Sequence, residues 1–297
     1  MLLKRNILLA VLAVLGTFNV NVALSQCPQT APYTENFDGG TWDPGTGAID
    51  ACWTRNSSTG FYFQTNTGNT TSSNTGPTAA FGGTGNYVYT EASSGTSGDL
   101  AELTSPQIDL TPLTDPFMTF YYHMHGDDIT QLDVEISDDG GTTWTVEGSV
   151  IGEQQTDESD PWERLAVSLT AYAGQTVLVR FSTNKGGSFN GDVSIDEFVV
   201  EEAPTCPFPS NLIVTNTGQN SADLSWTENG TATNWNIEYG PTGFTQGTGT
   251  IVPANSNPFT VTGLTAGTSY DFYVQADCGG GDVSDWIGPV GGFTNCT

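Results

Sequence analysis

Positive charge is what this sequence has least of. Six Lys and Arg stand against 33 Asp and Glu in 297 residues, a formal net charge of −27. Lys4 and Arg5 lie at the extreme N-terminus, so the remainder of the chain holds only Arg55, Arg164, Arg180 and Lys185. Nucleic acid and anionic lipid both need Lys or Arg to neutralise phosphate, so neither is a partner for so acidic a surface. Such a surface suits saline surroundings and divalent cations. Histidine is nearly as scarce. His123 and His125 share one face of a strand, but no third ligand and no H-E-x-x-H motif accompanies them, which excludes a catalytic zinc. They are read as core or surface histidines. No two cysteines fall at C-x-x-C spacing, and no G-x-S-x-G elbow, P-loop or Cys/His pair occurs. Abundant carboxylates make a chance glycosidase-like pair inevitable, so such a pair carries no information by itself. The chain is therefore expected not to be an enzyme.

Long apolar runs are also missing, with one exception. Lys4 and Arg5 precede an apolar stretch over Ile7–Leu15, and Ala23-Leu24-Ser25 follow it. This pattern predicts a signal peptide over residues 1–25, cleaved before Gln26. The alternative, an N-terminal anchor, needs about 20 apolar residues to cross a bilayer, and the run is too short. Nothing later is apolar enough to cross. The mature protein is thus expected to be secreted or held at the extracellular cell surface, where cysteines oxidise and disulfides are the default.

What is present is β material. Helical periodicity never persists after the signal peptide, whereas aromatics and β-branched residues alternate between Gly, Asn and Asp turns. A proline-rich stretch, with Pro204, Pro207 and Pro209, follows a strand and marks a boundary. It divides a first domain over 27–202 from a second over 206–297. In the second domain Ala222/Leu224/Trp226, Trp235/Ile237/Tyr239, Phe259/Val261 and Tyr270/Phe272/Val274/Ala276 alternate, as expected for a sandwich of seven short strands. These residues resemble a fibronectin type III module. Trp226 matches its strand-B tryptophan, and Leu264–Tyr270 is similar to its tyrosine corner, with Ala266 in place of the usual proline. In that topology the first strand begins at the pole where the sixth ends, so Cys206 is expected to pair with Cys278, and Cys27 with Cys52. Cys296, at the opposite pole, stays unpaired, which fits a chain that continues into another module; a plain free thiol is the alternative.

The first domain offers strands over Phe117–His125, Gln131–Ser137 and Thr176–Ser182. At its length a two-sheet jelly roll is the natural way to bury them. The order Thr75-Gly-Pro77, Asn86–Ser93, Ala101–Pro106, Phe120–Gly126, Trp162 and Gly191-Asp-Val-Ser-Ile-Asp-Glu-Phe198 resembles a MAM domain, an extracellular adhesion module. Two pieces depart from it: an acidic element after the second cysteine appears only as Gly60-Phe-Tyr-Phe63, and the family's later cysteine pair is missing. The resemblance implies a structural calcium tying the first strand to the last, held by Asp38 and Asp196, with Asp192 as a third candidate. Calcium takes six to eight hard oxygens, which carboxylates on separate strands can begin to supply. Ser137-Asp-Asp-Gly-Gly-Thr-Thr-Trp144 fits the S-x-D-x-G-x-T-W box of sialidase propellers. It occurs once, without blade-length repeats, so it reads as a hairpin in which Asp139 bonds the turn and Trp144 anchors it.

The expected protein is all-β: a MAM-like jelly roll followed by an immunoglobulin-like fibronectin type III sandwich. Its expected function is non-catalytic adhesion or binding to an extracellular protein or polysaccharide. The alternative is a pair of accessory domains that target a secreted peptidase or glycoside hydrolase whose catalytic part lies outside this chain. Trp42, Trp53 and Trp162 are either sugar-stacking platforms or core.

Overall fold

A computed structural model describes residues 27–296; the signal peptide expected over 1–25 lies outside them. The chain forms two β-sandwiches in sequence. In the first, one sheet has seven strands, centred on Thr176–Asn184, which pairs antiparallel with both Leu100–Thr104 and Gln131–Ser137. The hairpin strand Thr145–Ile151 closes that edge. The facing sheet has six strands in the order Glu163–Ser168, Pro116–His123, Ser194–Glu202, Tyr87–Thr90 and Phe63–Asn66, with Tyr33–Glu35 also on Ser194–Glu202. The first strand of this sheet, Tyr33–Glu35, therefore lies beside the last strand of the domain.

Period-two alternation turns one set of side chains inward from each sheet. Phe198 stands at the centre of the layer between them. Its ring meets Tyr33, Trp53 and Phe181 edge-on, at centroid distances of 6.1, 5.7 and 5.7 Å. Phe120 packs on Phe181 at 4.9 Å, and Trp53 carries the cluster on to Phe37 and Trp42. Such edge-to-face pairs add to the area they bury.

The six-stranded sheet is buried on its outer side as well. The segment 67–84 folds across it and makes a small second core of Ala80, Tyr87 and Tyr89, with Trp162 packed against it. Backbone and side-chain hydrogen bonds hold that cover in place: Tyr87 donates to Gly68 O, Gly76 N to His125 O and Trp162 Nε1 to Ala79 O.

In the second sandwich a three-stranded sheet (Ser210–Thr217, Ser221–Thr227, Phe259–Thr262) faces a five-stranded one built on Asn234–Pro241 and Ser269–Gly279. Beyond the expected seven strands there is a two-residue strand, Asp282–Val283. Trp226 and Trp235 meet edge-on at 5.2 Å over Ile237, Phe272 and Val274. The Tyr270 hydroxyl accepts the Thr265 N–H at 3.0 Å, the bond that defines a tyrosine corner. Disulfides join Cys27 to Cys52 and Cys206 to Cys278, with Cα separations of 5.2 and 5.7 Å, and Cys296 is a free, exposed thiol.

Truncating Phe198 to Ala should destabilise the first sandwich by about 3–5 kcal/mol through lost burial and the cavity left behind. Denaturant titration followed by tryptophan fluorescence measures it; a loss below about 1 kcal/mol would mean that the layer is not organised around this ring.

Candidate functional site

Asp38 follows the first strand of the six-stranded sheet, and Asp196 lies on the last. Asp38 Oδ1 accepts the Asn86 N–H at 2.6 Å. A side chain at Gly85 would sit 2.7 Å from that oxygen, which is why the position is a glycine at φ 103°. Asp196 is buried; its Oδ1 accepts from Glu197 N at 2.8 Å and its Oδ2 from Phe81 N at 2.9 Å. Burial pushes the Asp196 carboxyl up to about 7, with the charges of Glu197 and Asp38 adding to the rise. Glu197 is raised for the same reasons, burial first and then Asp38. The structure thus brings Asp38, Asp196 and Glu197 within one another's electrostatic reach.

Two residues beside these acids adopt left-handed backbone without being glycine: Phe37 at φ 56° and Glu197 at φ 49°. Such conformations cost of order 1–3 kcal/mol each and cluster at functional sites. At Asp196–Val199 the register with Pro116–His123 also slips, a bulge that redirects the strand. Among the described residues, no three acidic, histidine or cysteine side chains converge as a ready metal cage. Asp38 and Asp196 are two carboxylates of the six to eight oxygens that calcium takes.

Asp192 keeps other company. It is fully buried, its Oδ1 accepts from Ala92 N at 2.7 Å, and its backbone N–H reaches Thr75 Oγ1. Burial raises its carboxyl to about 7, Glu91 raising it further and Lys185 opposing. Its charged neighbours are Glu91 and Lys185 rather than Asp38.

The remaining sequence features fall into structural roles. Asp139 Oδ1 accepts Thr142 N and Thr143 N, both at 2.9 Å, and the Ser137 hydroxyl at 2.8 Å. The Thr143 backbone N–H and hydroxyl, with Ser137, hold its carboxyl down to about 2. Trp144 lies beneath Arg180, 4.1 Å from the guanidinium carbon to the ring centroid, so the box is the hairpin anchor it reads as. Trp42 and Trp53 are core, and Trp162 is half-buried against Tyr87. Trp42 and Trp53 are therefore core rather than sugar-stacking platforms, while Trp162 keeps part of its surface exposed beside Tyr87. His123 is fully buried against Trp162, and burial pulls its pKa down to about 4, His125 adding to the effect.

One patch escapes sequence reading. The loops 126–129, 152–155 and 185–190 interlock at one end of the first sandwich. Asp128 N donates to Asn190 O at 3.0 Å, Ser188 N donates to Asp128 Oδ2, and Gly126 N donates to Glu153 Oε1 at 2.9 Å. Phe189 is 49% exposed at the tip of this rim. The only signal for it is an aromatic residue in an otherwise small and polar turn, Gly186-Gly-Ser-Phe-Asn190. All four basic side chains among the described residues are already engaged: Arg55 over Tyr62, Arg180 on Glu102 and Glu135, Lys185 on Ser188 O and Arg164 on Asp285.

His123 generates a pH prediction. An unfolded chain takes up its proton near 6.5, the folded one only near 4, so this residue's contribution is lost as pH falls through that window. Asp192 and Asp196 act oppositely, since the folded state holds their protons from about 7 downward. The difference between wild type and His123→Phe isolates the histidine. Measured in chelator, the variant should gain up to about 3 kcal/mol relative to wild type between pH 7 and pH 4. Parallel stability–pH curves would show that His123 does not titrate with unfolding.

The profile of the MAM domain (meprin/A5/mu) matches residues 37–207, and that of the fibronectin type III domain matches 207–290. Neuropilin-1 of Xenopus laevis is 29% identical over 134 residues; the match covers 43% of this chain and 13% of that protein. Among solved structures, the Endo-D glycoside hydrolase domain of Streptococcus pneumoniae R6 is 12% identical, with a TM-score of 0.35, 89% of this chain covered and 43% of that one. The K1 cleaved adhesin domain of Lys-gingipain from Porphyromonas gingivalis W83 is 16% identical, with a TM-score of 0.41, 58% of this chain covered and 98% of that one. With more than half of its length matched, the chain belongs to the MAM domain family, and a fibronectin type III domain follows its MAM domain.

Proposed function

We propose that this chain is a non-catalytic, secreted or cell-surface adhesion module whose MAM domain binds an extracellular protein or polysaccharide through the rim carrying Phe189. Its architecture supports an extracellular binding role, since MAM and fibronectin type III domains are typically non-catalytic. The observation that carries the reading is Phe189, 49% exposed on a rim fixed by hydrogen bonds whose loops also carry Asp127, Asp128 and Glu153. With every described cation committed internally, the surface on offer is acidic or neutral. The partner that suits it presents basic or hydroxyl groups around an apolar patch. We also place a structural calcium at Asp38 and Asp196. Its double charge would compensate carboxylates that burial and mutual repulsion now make costly.

Two measurements test these readings. Purified protein should be retained on at least one of extracellular matrix, chitin and cellulose, and Phe189→Ser should weaken that retention about tenfold or more. Absence of retention on all three sinks the rim proposal. Millimolar calcium should raise the melting temperature by several degrees over chelator, because a ligand bound only by the folded state stabilises it. The gain should vanish in Asp38→Asn/Asp196→Asn, and an unchanged wild-type melting temperature removes calcium from the account.

A further inference from the structure

The join between the two domains has no slack. On the MAM side, Glu202 accepts the N–H groups of Thr114 and Asp115 at 2.8 and 3.0 Å, and Ala203 N donates to Asp115 O at 2.8 Å. On the fibronectin side, Thr205 Oγ1 donates to Asp282 at 2.8 Å, Cys206 is bonded to Cys278, and Asn229 Nδ2 donates to Phe208 O at 2.9 Å. Between these fixed points run Pro204 and Pro207, whose φ is locked.

Across that join reaches Arg164, from the strand Glu163–Ser168. Its guanidinium carbon sits 4.4 Å from the ring centroid of Phe208, which is buried although it belongs to neither hydrophobic core. Nη1 donates to Asp285 Oδ2 of the fibronectin domain at 2.8 Å, while Nη2 reaches back to Thr119 Oγ1 at 3.3 Å. Tyr121, its partner across the strand, lies 5.9 Å from the guanidinium and is itself stacked on Phe81 at 3.6 Å.

We propose that Arg164 is the latch that fixes the fibronectin type III domain against the MAM domain, so that the two sandwiches act as one rigid unit. Domains joined by short linkers move relative to one another by default, unless an interface holds them. The ion pair alone would not suffice, because the Asp285 side chain is 71% exposed and such pairs are screened by water and salt. What makes the latch is one planar cation meeting three demands together: a buried ring face, a carboxylate of the other domain and a hydroxyl of its own. Lysine, a point charge on a flexible stem, cannot meet all three. The consequence for binding is a fixed spacing and angle between the MAM rim and whatever contacts the second domain.

Distances between spin labels in the full mature protein test this. One label goes on native Cys296, exposed in the second domain, and one on a cysteine introduced at Asp138, exposed in the first. Wild type should give a single narrow distance distribution. Arg164→Ala should broaden it at least twofold with both disulfides intact, Arg164→Lys should not restore it, and Asp285→Ala should broaden it in part. Because Asp285 is exposed on a loop, that variant keeps the test valid even if Arg164→Ala fails to fold. A broad distribution in wild type, or a narrow one unchanged in both alanine variants, overturns the latch.

Discussion

The hydrogen bond from a backbone N–H to a carboxylate holds this molecule's loops in shape. With 33 acids and almost no cations, ion pairs can neutralise few of them. Carboxylates instead accept the amides that turns leave unpaired. Asp139 takes Thr142 N and Thr143 N; Asp160 takes Thr156 N and Asp157 N; Asp99 takes Thr96 N. Each is a short side-chain bond that substitutes for the ladder a turn lacks, the reason Asp favours such positions. A sequence rich in Gly, Ser and Thr thereby acquires ordered loops without apolar packing beneath them. The rim carrying Phe189 follows from the same device, because Asp128 and Glu153 tie three separate loops into one surface.

Scarcity gives the few cations distinct work. Arg180 bridges Glu102 and Glu135 on neighbouring strands while lying over Trp144, and Arg55 donates to Gly47 O and Phe63 O beneath Tyr62. Planar guanidinium can stack and donate in several directions together, so three of the four cations after residue 5 being arginine fits their positions. Each basic side chain among the described residues is thereby engaged by a neighbouring group.

The elements most legible in the sequence are those with one buried face. Gln131–Ser137 and Ser269–Gly279 alternate cleanly, and both sandwiches, the tyrosine corner and the hairpin at Asp139 can be read from such patterns. Legibility fails where a sheet is covered twice. Tyr87–Thr90 is buried at every position, because segment 67–84 closes over its outer side, and period-two alternation then carries no information. That cover also explains why His123 and Trp162 have structural partners no spacing could reveal. The rim and Arg164 were illegible for another reason: both arise from loops or domains far apart in sequence, and only the fold brings them together.

Three buried carboxylates are answered in three different ways. Glu238 is fully buried on the outer side of its sheet, yet Gly247 N, Gly249 N and Gln246 Nε2 all donate to it. Its charge is answered by the loop that it pins. Asp192 has a single amide donor, but Lys185 lies close enough to oppose the rise in its pKa. Asp196 receives two amides and no cation, and the nearby charges of Asp38 and Glu197 are of its own sign. Its backbone neighbour Glu197 is strained as well. Folding holds these acids together at a cost in repulsion and strain that the two amides offset only in part. The calcium proposed for this site would supply such compensation without needing a basic side chain.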